Sequence, residues 1–397
     1  FPRNNPDNMA LSAYAHMPGI DILMNEWNLG VQAQFGNSRA VRELRSVANQ
    51  LGRKRTLSET YGASGWDLTF FDQKRIGDWE YALGVNFLTQ HLVFSTISGA
   101  RKRDHPLSFS YHEPWWEAYR LMNDYFGRLS VALSAGEQLN HLLVIEPTSS
   151  AWMYYSPAIK NKELEKIGQD FQDFVHSLEK LQIEYDLGSE FILKDYGRTE
   201  GRKFRVGKRS YDLVILPPGT ENLESWTAIL LKNYLKNGGQ VISWADKQIY
   251  MDGRPSSLGE ELASFSGFKS MAGSALTEGI FSPILKKEIE FKNLSGEDKL
   301  FHQRRQFKDG QLLFLANISP DKEASGQVIL KGKTVEKWQA LTGKIEAYPS
   351  RIKRGRAYLD FSLQPGESLL LAIYKDKKTK PQLRPENGQL ELEVKKI

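Results

Sequence analysis

The chain has no cysteine, which removes disulfides, thiolate nucleophiles and cysteine-held zinc from consideration. Compartment stays open on that ground, because exported bacterial proteins also manage without cysteine. A long apolar run is missing too: nothing approaches the roughly 18 consecutive apolar residues that cross a bilayer, so no membrane span is expected. Charge of one sign is scarce. The 53 Lys and Arg stand against 48 Asp and Glu, a net charge of +5. Small basic clusters at 53–55, 101–103 and 375–380 read as a solvated surface, and no nucleic-acid partner is expected. Neither an H-E-x-x-H spacing nor a G-x-G-x-x-G after a strand occurs, so no metal site and no cofactor is expected. Calcium held by carboxylates and carbonyls is the one ion that spacing leaves open. Phe1 in place of Met, with no signal peptide behind it, reads as a processed or cut end.

Aromatic residues are what the chain has in plenty: 9 Trp, 16 Tyr and 20 Phe. Many sit around loops in the first third, where rings suit stacking on flat sugar faces as well as packing. One stretch there organises the rest, Arg55 through Glu59, Gly62 and Gly65 to Trp66. A short apolar run delivers a lone glutamate, glycines break the chain, and an indole follows. Residues 69–83 then read as an amphipathic helix closed by Gly84, and 85–94 as a strand. Before it, 20–24 reads as a strand ending in Asn25-Glu26-Trp27-Asn28. Ser38 is the expected N-cap of a helix to about Gln50. A polar excursion over 99–116 and a helix over 117–135 follow. Three strand–helix units fall short of the eight, in about 250 residues, of a closed barrel. Residues 1–137 are therefore expected to be the C-terminal part of a (β/α)8 barrel.

From Leu139 the pattern changes. Strands at 142–147, 183–186, 211–219 and 240–244 alternate with helices at 162–181 and 224–237, an open doubly wound sheet of flavodoxin or amidotransferase-like type over 138–277. Without cysteine it lacks amidotransferase thiol chemistry, so its expected part is packing, with homo-oligomerisation open. Short β-like segments separated by turns fill 278–376, as in an antiparallel β-sandwich. Residues 377–397 read as a linker and the start of a further strand, at 389–394. The fold class expected is thus α/β plus β.

Glycoside hydrolysis needs two carboxyl groups flanking the scissile bond. Glu59 is the first candidate because strand ends carry the catalytic groups of barrels. Glu26, at the end of the preceding strand, is its candidate partner, and Asn25 a candidate for holding a substrate hydroxyl. The third strand and its loop offer His91, Arg103, His105, His112, Glu113, Trp115 and Trp116 as substrate-binding residues, with Trp66 as a sugar platform. The bland alternatives are a salt-bridged loop for Glu26 and core packing for one of the two adjacent tryptophans.

The order barrel, amidotransferase-like unit, sandwich resembles the clan of glycoside hydrolases that includes the family 42 β-galactosidases. Two sets of residues resemble the α-L-rhamnosidase type more closely, glycoside hydrolase family 106 and its relatives. One is Ser58-Glu59-Thr60-Tyr61-Gly62 with Trp66, Asp67, Thr69 and Lys74. The other is Phe301-His302-Gln303-Arg304-Arg305 with Gly310, Phe314, Asn317, Trp338, Thr342-Gly343 and Pro365-Gly366-Glu367-Ser368. Gln303 interrupts a direct His-Arg pair. The resemblance implies a periplasmic or secreted bacterial glycosidase acting on polysaccharide or oligosaccharide. It implies that Glu59 is base or nucleophile on the seventh strand, and that the acid partner lies on a fourth strand this chain lacks. Two other readings remain: a family 42-like β-galactosidase, and a catalytically silent carbohydrate-binding or scaffold protein.

Overall fold

The protein is described from a computed structural model over residues 7–23 and 35–376. Asn25, Glu26, the 377–397 linker and its closing strand lie outside the described residues. A short helix α1 (Asn8–Ser12) is capped by Asp7, whose carboxylate accepts from the Ala10 amide at 2.8 Å. Strands β1 (Gly19–Leu23), β2 (Leu57–Gly62) and β3 (Phe87–Gln90) form a parallel sheet in that order. Helices α2 (Ser38–Leu51), α3 (Phe70–Leu83) and α4 (Arg120–Ser134) alternate with them.

Local chemistry explains the helix limits. Thr69 caps α3 and Gly84 ends it at φ +126°. Asn37, not Ser38, caps α2: its side chain accepts from the Ala40 amide, and Ser38 is the first helical residue. The expected 85–94 strand shortens to β3, because the chain leaves the sheet at His91.

Strand β4 (Leu142–Ile145) is fully buried and pairs with β5 (Asp186–Gly188) on one side and with Leu213–Leu216 on the other. Gln240–Ser243 and Phe268–Ser270 complete a five-stranded parallel sheet. Counted along the chain its order is 2-1-3-4-5, that of flavodoxin-like sheets. The strand expected at 183–186 begins three residues later, at Asp186, and an antiparallel meander at Gly197–Glu200, Lys203–Val206 and Arg209–Tyr211 is an addition to the expected elements. The remainder is two antiparallel sheets of four and five strands. Their facing residues, including Leu313, Leu330, Leu359 and Leu371, form one apolar core. Strand Ile289–Ser295 in the four-stranded sheet also went unread, since its burial is only partial. The mixed α/β and antiparallel architecture agrees with the expected class.

Helix α2 is the piece between the first two sheets. It is buried on nearly every side, polar residues included. Arg42 grips Glu179 of α5 (Lys162–Lys180) through Nε and Nη2 at 2.7 and 2.8 Å. Asn49 donates to Asp186 and Gln50 to the Leu187 carbonyl, both at 2.8 Å.

Candidate active site

Parallel pairing puts Asp21, Glu59 and Thr89 in register, Asp21 beside Glu59 and Glu59 beside Thr89. In-register neighbours of a parallel sheet point to the same face, so these three share one face while Ser58 and Thr60 take the other. That second face meets α3. The Ser58 and Thr60 hydroxyls both donate to Glu80 Oε1, at 3.1 and 3.0 Å. Glu80 is buried without a cation beside it, and burial pushes its carboxyl up to about 8. The Glu59 side chain, by contrast, is 41 % exposed.

At its C-terminal end β2 is irregular. The register slips so that Leu23 pairs with Gly62, and Tyr61 takes φ +72°. The displaced Tyr61 is buried, donating its hydroxyl to the Gln73 carbonyl at 2.8 Å and lying 5.6 Å from the Phe109 ring. Bulges of this kind re-aim side chains beside active sites. Glycine is required next door, because a Cβ on Gly62 would lie 2.4 Å from Leu23 Cδ2 and 3.1 Å from the His91 ring.

His91 follows β3 directly and places Nε2 3.8 Å from Glu59 Oε1, an ion-pair distance rather than a hydrogen bond. The His105 ring lies 5.7 Å beyond it. Asp21 has its Oδ1 buried and unpartnered. Burial first and Glu59 second raise its pKa, against the pull of His91 and His105. A cavity of about 310 Å³ opens onto Asp21 and Glu59, walled by α1, α2 and the first residues of β1 and β2.

The expected residues divide on this geometry. Glu59, His91 and His105 come together, joined by Asp21. Trp66 is half-buried and fixed by its indole N–H to the Lys102 carbonyl at 2.7 Å, which leaves its role as an open platform reduced. Arg103 ends an exposed 3-10 turn (Gly99–Arg103). His112 is taken up with Ser110, at 3.0 Å from Nδ1, and with the Tyr111 ring. Glu113 is buried, and that burial raises its pKa. Trp115 belongs to a ring cluster with Phe70, Phe109 and Tyr119, whereas Trp116 is 41 % exposed and stacked on Tyr119. Asp21 was missed. Its signal was a carboxylate between Ile20 and Ile22 in a strand, one alternation from the apolar side. Among the described residues no group of three or more His, Asp or Glu is placed to hold a metal. Nor is any helix there long and apolar enough to cross a membrane.

No family model matches the chain. A protein of Formosa agariphila named as a candidate beta-glucuronidase is 25 % identical over 398 aligned residues, covering 97 % of this chain and 32 % of its own length. A rhamnosidase from Novosphingobium sp. PP1Y superposes with a TM-score of 0.69 at 17 % identity, over 94 % of this chain and 36 % of its own. A GH42 beta-galactosidase from G. stearothermophilus gives 0.59 at 11 % identity, over 93 % of this chain and 61 % of its own. This chain thus spans about a third of the length of the curated relative and of the rhamnosidase. The expected resemblance is met at the level of architecture: the chain shares the fold of glycoside hydrolases, a rhamnosidase among them.

Proposed function

We propose that this chain supplies part of the active site of a glycoside hydrolase, with its three strand–helix units forming the C-terminal part of a (β/α)8 barrel. The observation that carries the reading is the in-register pair of carboxylates, Asp21 and Glu59, on one face of a parallel sheet with His91 3.8 Å from Glu59. In such hydrolysis one carboxyl group protonates the departing oxygen while another attacks the anomeric carbon or activates water. Glu59 takes the second role. Asp21, whose pKa is raised by burial and by the charge of Glu59, lies beside that carboxylate and tunes it. The general acid is either Glu26, which lies outside the described residues, or a carboxyl group on a strand outside this chain. His91 and His105 border the sugar site, and Trp116 offers an exposed ring face.

The names of the relatives favour a glycoside as substrate, with α-L-rhamnosides first in line because the rhamnosidase superposes better than the galactosidase. In the full-length protein, Glu59→Gln is expected to lower turnover of an aryl glycoside by roughly 10²–10⁴-fold while the thermal midpoint stays within a few degrees. Asp21→Asn is expected to move the acidic limb of the pH–rate profile rather than abolish activity. Turnover unchanged in Glu59→Gln would remove Glu59 from the mechanism. Sugar binding without turnover in the unaltered protein would favour the silent carbohydrate-binding reading instead.

A further inference from the structure

Residues 135–138 open the short connection from α4 to β4, and three arginines from three parts of the chain hold them. Arg305, on the strand Leu300–Gln306, donates through Nε to the Ala135 carbonyl at 2.9 Å and through Nη2 to that of Gly136 at 2.7 Å. Arg209 donates through Nη1 to Glu137 Oε2 at 3.1 Å, and Arg45 of α2 through Nε to Gln138 Oε1 at 2.9 Å. Arg45 and Arg305 are each 3 % exposed and Arg209 8 %. Four consecutive residues therefore gather three guanidinium groups into one buried junction.

Charge there does not balance. Arginine keeps its proton in proteins, so all three groups are cations. Of the carboxylates that face them, Glu137 has a side chain 64 % exposed. Asp186 already accepts from Asn49, Asn140 and Tyr211. The remaining partners are neutral carbonyl and amide oxygens. Burial first, then Arg45 and Arg209, push the Arg305 pKa down to about 8. Its Nη1 is fully buried and has no hydrogen-bond partner. Water at that atom would satisfy the N–H groups and leave the field as it is. A small anion does both, through charge-assisted hydrogen bonds.

We propose that a chloride-sized inorganic anion binds at Arg305 Nη1, in the junction formed with Arg45 and Arg209. It acts as the counter-ion that locks the 135–138 connection between α2 and the sandwich. The site is separate from Glu59 and stands whether or not the glycosidase reading does.

The test is thermal unfolding of the full-length protein at constant ionic strength, with sodium gluconate replaced stepwise by sodium chloride. Gluconate, a bulky organic anion, serves as the reference. The midpoint is expected to rise by a few degrees and saturate, as a binding isotherm does. Arg305→Met, which removes the free N–H, is expected to make the midpoint indifferent to chloride. Should that variant fail to fold, crystals of the unaltered protein soaked in bromide decide the matter by an anomalous peak within hydrogen-bonding distance of Arg305 Nη1. A midpoint in the unaltered protein that ignores chloride, or bromide crystals without that peak, overturns the proposal.

Discussion

Glu59 and Glu80 are two glutamates one strand apart whose environments differ, and the difference fixes what each can do. Glu59 faces open space beside His91, whereas Glu80 lies behind the same strand, buried and tied to the hydroxyls that flank Glu59. Folding raises the Glu80 carboxyl from 4.5 to about 8, an upper bound of roughly 5 kcal/mol of penalty at alkaline pH. The sign follows from proton counting. Between those values the folded protein holds a proton that the unfolded chain has lost, so this group makes stability fall as pH rises and levels off above about 8. Glu80→Gln is expected to remove most of that slope, visible as a smaller loss of denaturant midpoint between pH 5 and pH 8.5 than in the unaltered protein. Identical slopes would mean that Glu80 does not titrate as its burial requires. The sequence marked Glu59 because a glycine loop and an indole follow it. Nothing local marked Glu80, and Asp21 carried only its place between Ile20 and Ile22; the importance of both arises from register and from what lies behind the sheet.

Elements were legible where a cap, a period and a stop agreed. The expected helix at 69–83, closed by Gly84, matches α3 almost to the residue, although α3 is buried on nearly every side over 75–83 and so is not amphipathic there. Four-residue strands such as β3 lack enough period to fix their ends. Helix α2 shows a different failure. Its Arg42, Glu43, Arg45, Asn49 and Gln50 would face water on an isolated helix, yet all are buried, because strand β5 and its helix pack against α2 as well as the first sheet. The Arg42–Glu179 pair holds α2 to α5 with a two-pronged geometry, and the Tyr185 hydroxyl adds a third bond to Glu179 Oε1 at 2.6 Å. Such a pair gains little over apolar packing, but removing one partner strands a buried charge. Arg42→Met is expected to cost about 3–5 kcal/mol in chemical unfolding, and Arg42→Met with Glu179→Leu to recover much of it. A single-variant loss below about 1 kcal/mol would show that the pair is hydrated and contributes little.

Across the whole molecule, the change from strand–helix alternation to strands alone was legible, because the hydrophobic period changes where the sandwich begins. The way its parts are joined was not, since the joints are made by long polar side chains distant in sequence. Arg304, read only as a member of a motif, proves to join the sandwich to the parallel-sheet unit. It donates from Nε and Nη2 to Glu184 at 2.8 and 2.7 Å and from Nη2 to Glu288 at 2.8 Å. Burial acts to raise the Glu184 carboxyl, but Arg304 and His302 outweigh it and hold the group well below the usual carboxylate range. A carboxylate depressed in the folded state contributes stability that is complete above its unfolded value of 4.5 and is lost as pH falls toward the folded one. Glu184→Gln is therefore expected to lower the unfolding midpoint clearly at pH 7 and progressively less below pH 4. The same variant should expose the sandwich junction to limited proteolysis near Ile289–Ser295, the strand that follows Glu288. If the loss in Glu184→Gln is as large at pH 3 as at pH 7, packing rather than charge joins the two units there. The Arg304 contacts would then be incidental to their attachment.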